Sequence, residues 1–167
     1  TSDNLWNIQE LPKKLLIVGG GPIGSEFAQC FARLGSDVTQ VEMSPHILTR
    51  EDNEISLALR QQFGREGIDI HTDTMCKTIV TENGKQVMVS EKRGQEVRIE
   101  FDQILIAVGR TANSKGFGIE NIGIESDQHN RIIVDSYLRT TTHKNIYACG
   151  DVIGPYQFTH TAAHQAW

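Results

Sequence analysis

Cysteine is scarce in this chain: 167 residues hold three, Cys30, Cys76 and Cys149, odd in number and far apart. There is no C-x-x-C pair and no closer redox pair, which argues against a disulfide framework. Cys30 falls on the apolar side of an expected helix and reads as a buried, inert thiol, so a reducing, cytoplasmic setting fits. Long hydrophobic runs are missing too. No apolar stretch reaches the length of a membrane span, and the N-terminus lacks a leader pattern. Positive charge is in deficit, with 16 Lys and Arg against 21 Asp and Glu, a formal net charge of −5. With no basic stripe, neither nucleic acid nor an anionic membrane is the expected partner. Repeats and low-complexity tracts are absent. What remains is the composition of an ordinary globular protein, long enough for one domain or for one plus a fragment of another. The chain opens on Thr1 rather than Met, which reads as an excised piece or a processed product.

The informative stretch is Leu15–Glu42, LLIVGGGPIGSEFAQCFARLGSDVTQVE. Leu15–Val18 has the continuous apolar character of a strand buried on both faces. Gly19, Gly21 and Gly24 follow at G-x-G-x-x-G spacing, with Pro22 and Ile23 between them at the start of a helix. Ile23, Phe27, Cys30, Phe31 and Leu34 lie at helical spacing, Gly35 ends the helix, and Val38–Val41 reads as a second strand with Glu42 at its end. This is the order of parts in a βαβ dinucleotide site. Gly19 permits the tight turn, Gly21 lets the backbone approach a pyrophosphate, and Gly24 permits close helix packing. The helix N-terminus offers N–H groups and partial positive charge to phosphate. Glu42 is placed to accept hydrogen bonds from the adenosine ribose. A carboxylate there repels a 2′-phosphate, and Met43–Leu48 contains no Arg or Lys to receive one, so NAD(H) is expected over NADP(H). A purely structural glycine turn is the bland alternative, and the ordered arrival of all five parts argues against it.

The rest of the chain adds constraints. Thr1–Pro12 reads as an entry segment with Trp6, Ile8 and Leu11 as apolar anchors. Met43–Arg50 reads as a loop, and acids at Glu51–Glu54 open a second helix carrying Ile55, Leu59 and Phe63. Ile68–His71 reads as a third strand. Thr78–Thr81, Gln86–Ser90 and Val97–Phe101 are short and β-branched, with the hairpin signal Asn83-Gly84 between the first two, so an antiparallel meander is expected. Asp102–Val108 reads as a buried parallel strand running into Gly109 and Arg110, a second candidate position at a nucleotide cleft. Arg110 reads either as a structural ion-pair partner or as a ligand contact. Ser114–Gly123 reads as connector, and Ile132–Val134, Tyr137–Thr140 and Asn145–Ala148 as strands. The last leads into Gly150-Asp151, a carboxylate suited to hydroxyl groups. Thr159–Trp167 reads as a helix. His160 and His164 stand one turn apart on it, but with no third ligand in view a metal site is not expected.

Four stretches together resemble the flavin-dependent pyridine nucleotide-disulfide oxidoreductases, the group of dihydrolipoamide dehydrogenase and mercuric reductase. They are GGGPIGSE (Gly19–Glu26), DQILIAVGRTAN (Asp102–Asn113), NIYACGDV (Asn145–Val152) and QFTHTAAHQA (Gln157–Ala166). The resemblance implies a Rossmann-like doubly wound parallel sheet with an inserted meander, residues 1–110, followed by part of an FAD-binding domain, residues 111–167. It implies that Glu26 pairs with a lysine beside the flavin and is the catalytic position, that Gly109 lies near the nicotinamide half, that Asp151 binds the flavin ribityl chain, and that the Thr159 backbone approaches the flavin ring. Cofactors would be NAD(H) here and FAD in the full-length protein, whose remaining FAD and dimerisation domains would make a homodimer. Two positions depart from the pattern. Pro22 stands where relatives often carry a bulky nicotinamide gate, and Ala112 replaces a common Pro. The family's redox-active cysteine pair would lie before this chain and its catalytic His beyond Trp167, so the chain alone is expected to be inactive. The rival readings are a stand-alone nucleotide-binding or regulatory module, and an NADH-dependent flavin reductase without a redox disulfide.

Overall fold

The computed structural model describes every residue, Thr1–Trp167. The chain forms two compact units, Thr1–Gly109 and Arg110–Trp167, each described by itself.

In the first unit the elements are β1 (Lys14–Val18), α1 (Pro22–Leu34), β2 (Asp37–Val41), α2 (Asn53–Arg65), β3 (Asp69–His71), β4 (Thr74–Glu82), β5 (Lys85–Lys92), β6 (Gln95–Phe101) and β7 (Gln103–Ile106). A parallel sheet runs β3-β2-β1-β7, and β4-β5-β6 form a separate antiparallel sheet. The α/β class and the inserted meander agree with the sequence reading. Alternation along β1 explains its unbroken apolar run. Leu15 and Ile17 face a core with Ala28, Val38, Phe63 and Leu105, while Leu16 faces a second core with Val41, Met88 and Phe101. Burying each of these Leu, Ile or Phe side chains stabilises the fold by about 1.5–3 kcal/mol. The register places Val18 opposite both Val41 and Ile106, so three strands end at one level. The glycine loop starts from that edge.

Several expectations change. Helix α1 fully buries its small residues Gly24, Ser25 and Ala28, which let the backbone come close, and Phe27 and Phe31 pack partly buried against the core as expected. Ile23, Cys30 and Leu34 are exposed, so Cys30 is not the buried thiol expected. Gly35 ends α1 as read, at φ 108°, its N–H donating to the Ala32 and Phe31 carbonyls. In the entry segment Trp6, Ile8 and Leu11 are exposed, although Trp6 meets Phe27 edge-on with ring centroids 6.3 Å apart. The residue that packs on the core there is Leu5. The loop after β2 carries Ile47 into the core, and within α2 Phe63 is buried while Ile55 is exposed.

The meander strands run longer than expected: the β4–β5 ladder continues from Thr74 opposite Lys92 to Glu82 opposite Lys85, and β6 pairs with β5 from Gln95 to Phe101. Both hairpins turn through a left-handed residue pair, Asn83-Gly84 (φ 50° and 79°) and Arg93-Gly94 (φ 52° and 80°). Strand β7 is shorter than Asp102–Val108.

In the second unit, 3-10 turns span Ile119–Ile122 and Gly150–Val152, and α3 (Thr159–Ala166) closes the chain. The three strands expected between Ile132 and Ala148 reduce to single bridges, Ser126 to Ile132, Val134 to Thr140 and Arg139 to Tyr147. Two carboxylates close the turns inside the first two of these bridges. Asp127 accepts the His129 and Arg131 N–H groups at 2.8 and 2.9 Å, and Asp135 those of Tyr137 and Arg139 at 3.0 and 3.1 Å. Each D-x-x-x-R stretch curls into a turn on its own side chain, and Asp135 thereby takes two N–H groups of the expected Tyr137–Thr140 strand, while the Ile132 and Ile133 N–H groups go to the Val152 and Glu125 carbonyls. The Arg131 guanidinium beside Asp127 holds that carboxyl near 2, well below its ordinary value.

Candidate functional site

The turn from β1 into α1 gathers Gly19, Gly21, Pro22, Ile23, Gly24 and Glu42. Gly19 has φ 119°, and a Cβ there would overlap the Ala107 carbonyl just beyond β7. Its glycine therefore serves the turn and also the close passage of β7, which sequence reasoning had not credited. A Cβ on Gly24 would overlap the Gly19 carbonyl oxygen and come within 3.3 Å of the Gln40 amide nitrogen, so the close approach is to the loop as well as to the strand. A Cβ on Gly21 would meet nothing within 4 Å. That open space lies at the N-terminus of α1, where Gly21 is the cap residue, Pro22 occupies the first turn and no side chain caps the helix. Uncapped N–H groups, the helix dipole and unobstructed backbone form a place suited to an anion.

Glu42 flanks this space. Its Oε2 accepts the Gly20 N–H at 2.6 Å and its Oε1 the Ser44 N–H at 2.8 Å. Both carboxylate oxygens are thus oriented by backbone donors, and each keeps lone-pair capacity for a further hydrogen bond. A Cβ on Gly20 would sit 2.9 Å from the Glu42 Cβ, Cγ and Oε2, so any side chain there would displace Glu42. Glycine spacing singled out Gly19, Gly21 and Gly24 and passed over Gly20. The spatial neighbour that explains Gly20 lies 22 residues away.

A second residue went unread. Gln40 is fully buried on β2, and its Nε2 donates to the Gly19 carbonyl at 3.0 Å and to the Ser25 Oγ at 3.3 Å. Its Oε1 is buried with no hydrogen-bond partner. A glutamine in a short strand carries no periodic signal, so only the fold reveals it.

Glu26 is exposed on the first turns of α1, and Gly109 follows β7 at φ 145° with open space at its missing Cβ. Asp151 and Thr159 lie in the second unit, on an open cleft of about 800 Å³ that Gly150, Gln157 and Phe158 also line. Arg110 faces the same cleft as an ion-pair partner: its Nη1 donates to Asp151 Oδ2 at 3.1 Å and to the Gln157 carbonyl at 3.0 Å. Both groups are half-exposed, so this pair contributes little to stability. His160 stacks on Phe158 with ring centroids 5.4 Å apart. No group of three His, Cys, Asp or Glu side chains is disposed to hold a metal ion, and no helix is long and apolar enough to cross a membrane.

Comparison with known proteins bears on this arrangement. Dihydrolipoyl dehydrogenase of Chlamydia pneumoniae is 38% identical over 165 residues, a match covering 99% of this chain and 35% of that protein. The Acholeplasma laidlawii enzyme of the same name is 41% identical, again over 99% of this chain and over 47% of its own length. Among solved structures, the HOCl-induced flavoprotein disulfide reductase RclA from Escherichia coli, as its Cu(II) complex, aligns with a TM-score of 0.90 at 36% identity. That alignment covers 98% of this chain and 36% of RclA. The chain therefore spans about a third to a half of the length of these relatives. The profile of one family, described as pyridine nucleotide-disulphide oxidoreductase, matches residues 1–166, and the chain belongs to that family.

Proposed function

We infer that the unit Thr1–Gly109 is the NAD(H)-binding domain, and Arg110–Trp167 part of the FAD-binding domain, of a flavoprotein oxidoreductase acting on a disulfide or a related acceptor. The observation that carries this reading is the uncapped N-terminus of α1, open at Gly21 and flanked by the backbone-held carboxylate of Glu42. In this reading Gly21, Pro22, Ile23 and Gly24 bind the pyrophosphate, and Glu42 receives the adenosine ribose hydroxyls. The nicotinamide end lies toward Glu26 and Gly109. Asp151 and the Thr159 backbone contribute to the flavin site. A bound nicotinamide supplies two electrons as hydride, and the redox chemistry belongs to the cofactors. The residues of this chain bind, orient and tune.

The preference for NAD(H) over NADP(H) follows from Glu42. Two backbone N–H groups fix its carboxylate in place, so it is not free to swing away from a 2′-phosphate, and no cation in Met43–Leu48 would compensate one.

Calorimetric titration of the chain with NADH, NADPH and FAD tests the reading. NADH binds, NADPH binds much more weakly, and FAD is not retained. Glu42→Ala weakens NADH by about 10- to 100-fold, as expected for removing hydrogen bonds to a charged group. Equal affinity for NADPH would sink the Glu42 argument, and failure to bind either nucleotide would sink the domain assignment.

A further inference from the structure

Four backbone groups of Gly19 and Gly20 are each tied to the protein. The Gly19 N–H donates to the Val41 carbonyl at 2.8 Å, and the Gly20 carbonyl accepts from the Leu48 N–H at 2.7 Å. The other two groups, the Gly19 carbonyl and the Gly20 N–H, belong to one peptide unit. Gln40 Nε2 holds the carbonyl end at 3.0 Å and Glu42 Oε2 holds the N–H end at 2.6 Å. Gln40 and Glu42 are two residues apart on β2 and its continuation, so their side chains leave the same face of the strand. One strand grips one peptide plane from both sides.

We propose that Gln40 is a positioning residue, which with Glu42 locks the Gly19–Gly20 peptide and thereby presets the nucleotide loop and the Glu42 carboxylate. The proposal rests on the NAD(H) reading above and names a determinant of affinity within that site. Two independent features support it. Gln40 is wholly buried with an orphaned carbonyl oxygen, a costly state that an apolar residue at this core position would avoid. Its amide also reaches the Ser25 hydroxyl, so it joins strand, loop and the first turns of α1. If the peptide turned over, the Gly20 N–H would leave Glu42, and the carboxylate would lose one of the two donors that orient it. The locked plane also dictates which donors remain for a ligand. The Gly20 N–H is committed to Glu42, leaving the anion to Gly21 and the helix beyond it.

The test uses the complete 167-residue chain, labelled with nitrogen-15, in three forms: wild type, Gln40→Met and Val38→Ala. Methionine keeps most of the volume and removes the donor. Val38 is buried two residues earlier on the same strand face, in the core cluster with Leu15, Ile17 and Ala28, so its truncation removes core packing and no hydrogen bond to the loop. In ligand-free wild type the Gly20 amide is protected from exchange and shifted downfield by the carboxylate. In Gln40→Met that amide moves upfield and exchanges faster, and NADH binds about three- to tenfold more weakly, the range of one ordinary hydrogen bond. Val38→Ala lowers the unfolding midpoint yet leaves the Gly20 amide and NADH affinity near wild type. An unprotected Gly20 amide in wild type would overturn the proposal without recourse to any variant. So would an unchanged Gly20 amide or unchanged NADH affinity in Gln40→Met, or equal losses in both variants. A wild-type chain that bound no NADH would instead refute the NAD(H) reading, with the Gly20 amide still deciding the peptide lock.

Discussion

At Gly24 two effects of one methyl group oppose each other. In a helix, Gly→Ala gains about 1 kcal/mol of propensity. Here the added Cβ overlaps the Gly19 carbonyl, a backbone atom already held by Gln40, and presses on the Gln40 amide. Backbone in a tied loop yields little, so overpacking wins. Gly24→Ala is expected to destabilise the chain by about 1–3 kcal/mol in urea unfolding; a stabilised variant would show that the loop yields freely. At this scale the three motif glycines and Glu42 were legible, because spacing along a βαβ unit dictates their jobs. Gln40, Gly20 and the contact of Gly19 with Ala107 were not. Each depends on a neighbour distant in the chain.

Among the elements, the two hairpin turns invite comparison. Asn83 suits a left-handed first position, whereas Arg93 occupies the same conformation at φ 52°. A left-handed L-residue costs about 1–2 kcal/mol, less for Asn. The exposed Arg93–Asp73 ion pair at 3.2 Å offsets little of that. Arg93→Asn is therefore expected to stabilise by about 0.5 kcal/mol, read as a raised thermal midpoint, and a lowered midpoint would mean the ion pair dominates.

Helices α1 and α2 are joined by Glu66, which accepts from Arg33 at 2.8 and 3.1 Å, from Gln29 at 3.0 Å and from Gln62 at 2.7 Å. Arg33 is the main cause of its carboxyl falling from an ordinary 4.5 to about 2. A pKa depressed in the folded state stabilises above the unfolded value, and that contribution is lost as pH falls from about 5 through about 2. Glu66→Gln should flatten this part of the acid limb of the stability curve, and salt should shrink the difference between the two proteins, since the Arg33 end of the pair is open to solvent. Superimposable acid limbs would remove Glu66 from the account. The meander was readable from Asn83-Gly84. The strands expected around Ile133 and Tyr137 were not formed, because a short β-branched pattern says nothing about Asp135 taking the Tyr137 and Arg139 donors, or about the Ile132 and Ile133 donors going to the separate Val152 and Glu125 carbonyls.

On the whole molecule, the unit Arg110–Trp167 exposes Phe117, Tyr137, Tyr147, Tyr156, Phe158 and Trp167. Under the proposed assignment, the rest of an FAD-binding domain would cover part of this apolar surface. The chain alone is expected to self-associate with rising concentration in sedimentation velocity and to bind an apolar dye. A strictly monomeric, dye-silent chain would count against dividing the protein in this way.

By itself the sequence determined the α/β class, the placement of the glycine loop, the meander and the family. Those depend on local periodicity, on turn chemistry and on motifs contiguous in the chain. Tertiary structure alone decided that the small residues of α1 are its most buried ones, that Cys30 is exposed, and that Gln40 and Glu42 grip a single peptide. Such facts come from residues far apart in sequence being brought within hydrogen-bonding or van der Waals reach, and close packing, which no periodicity encodes, settles them.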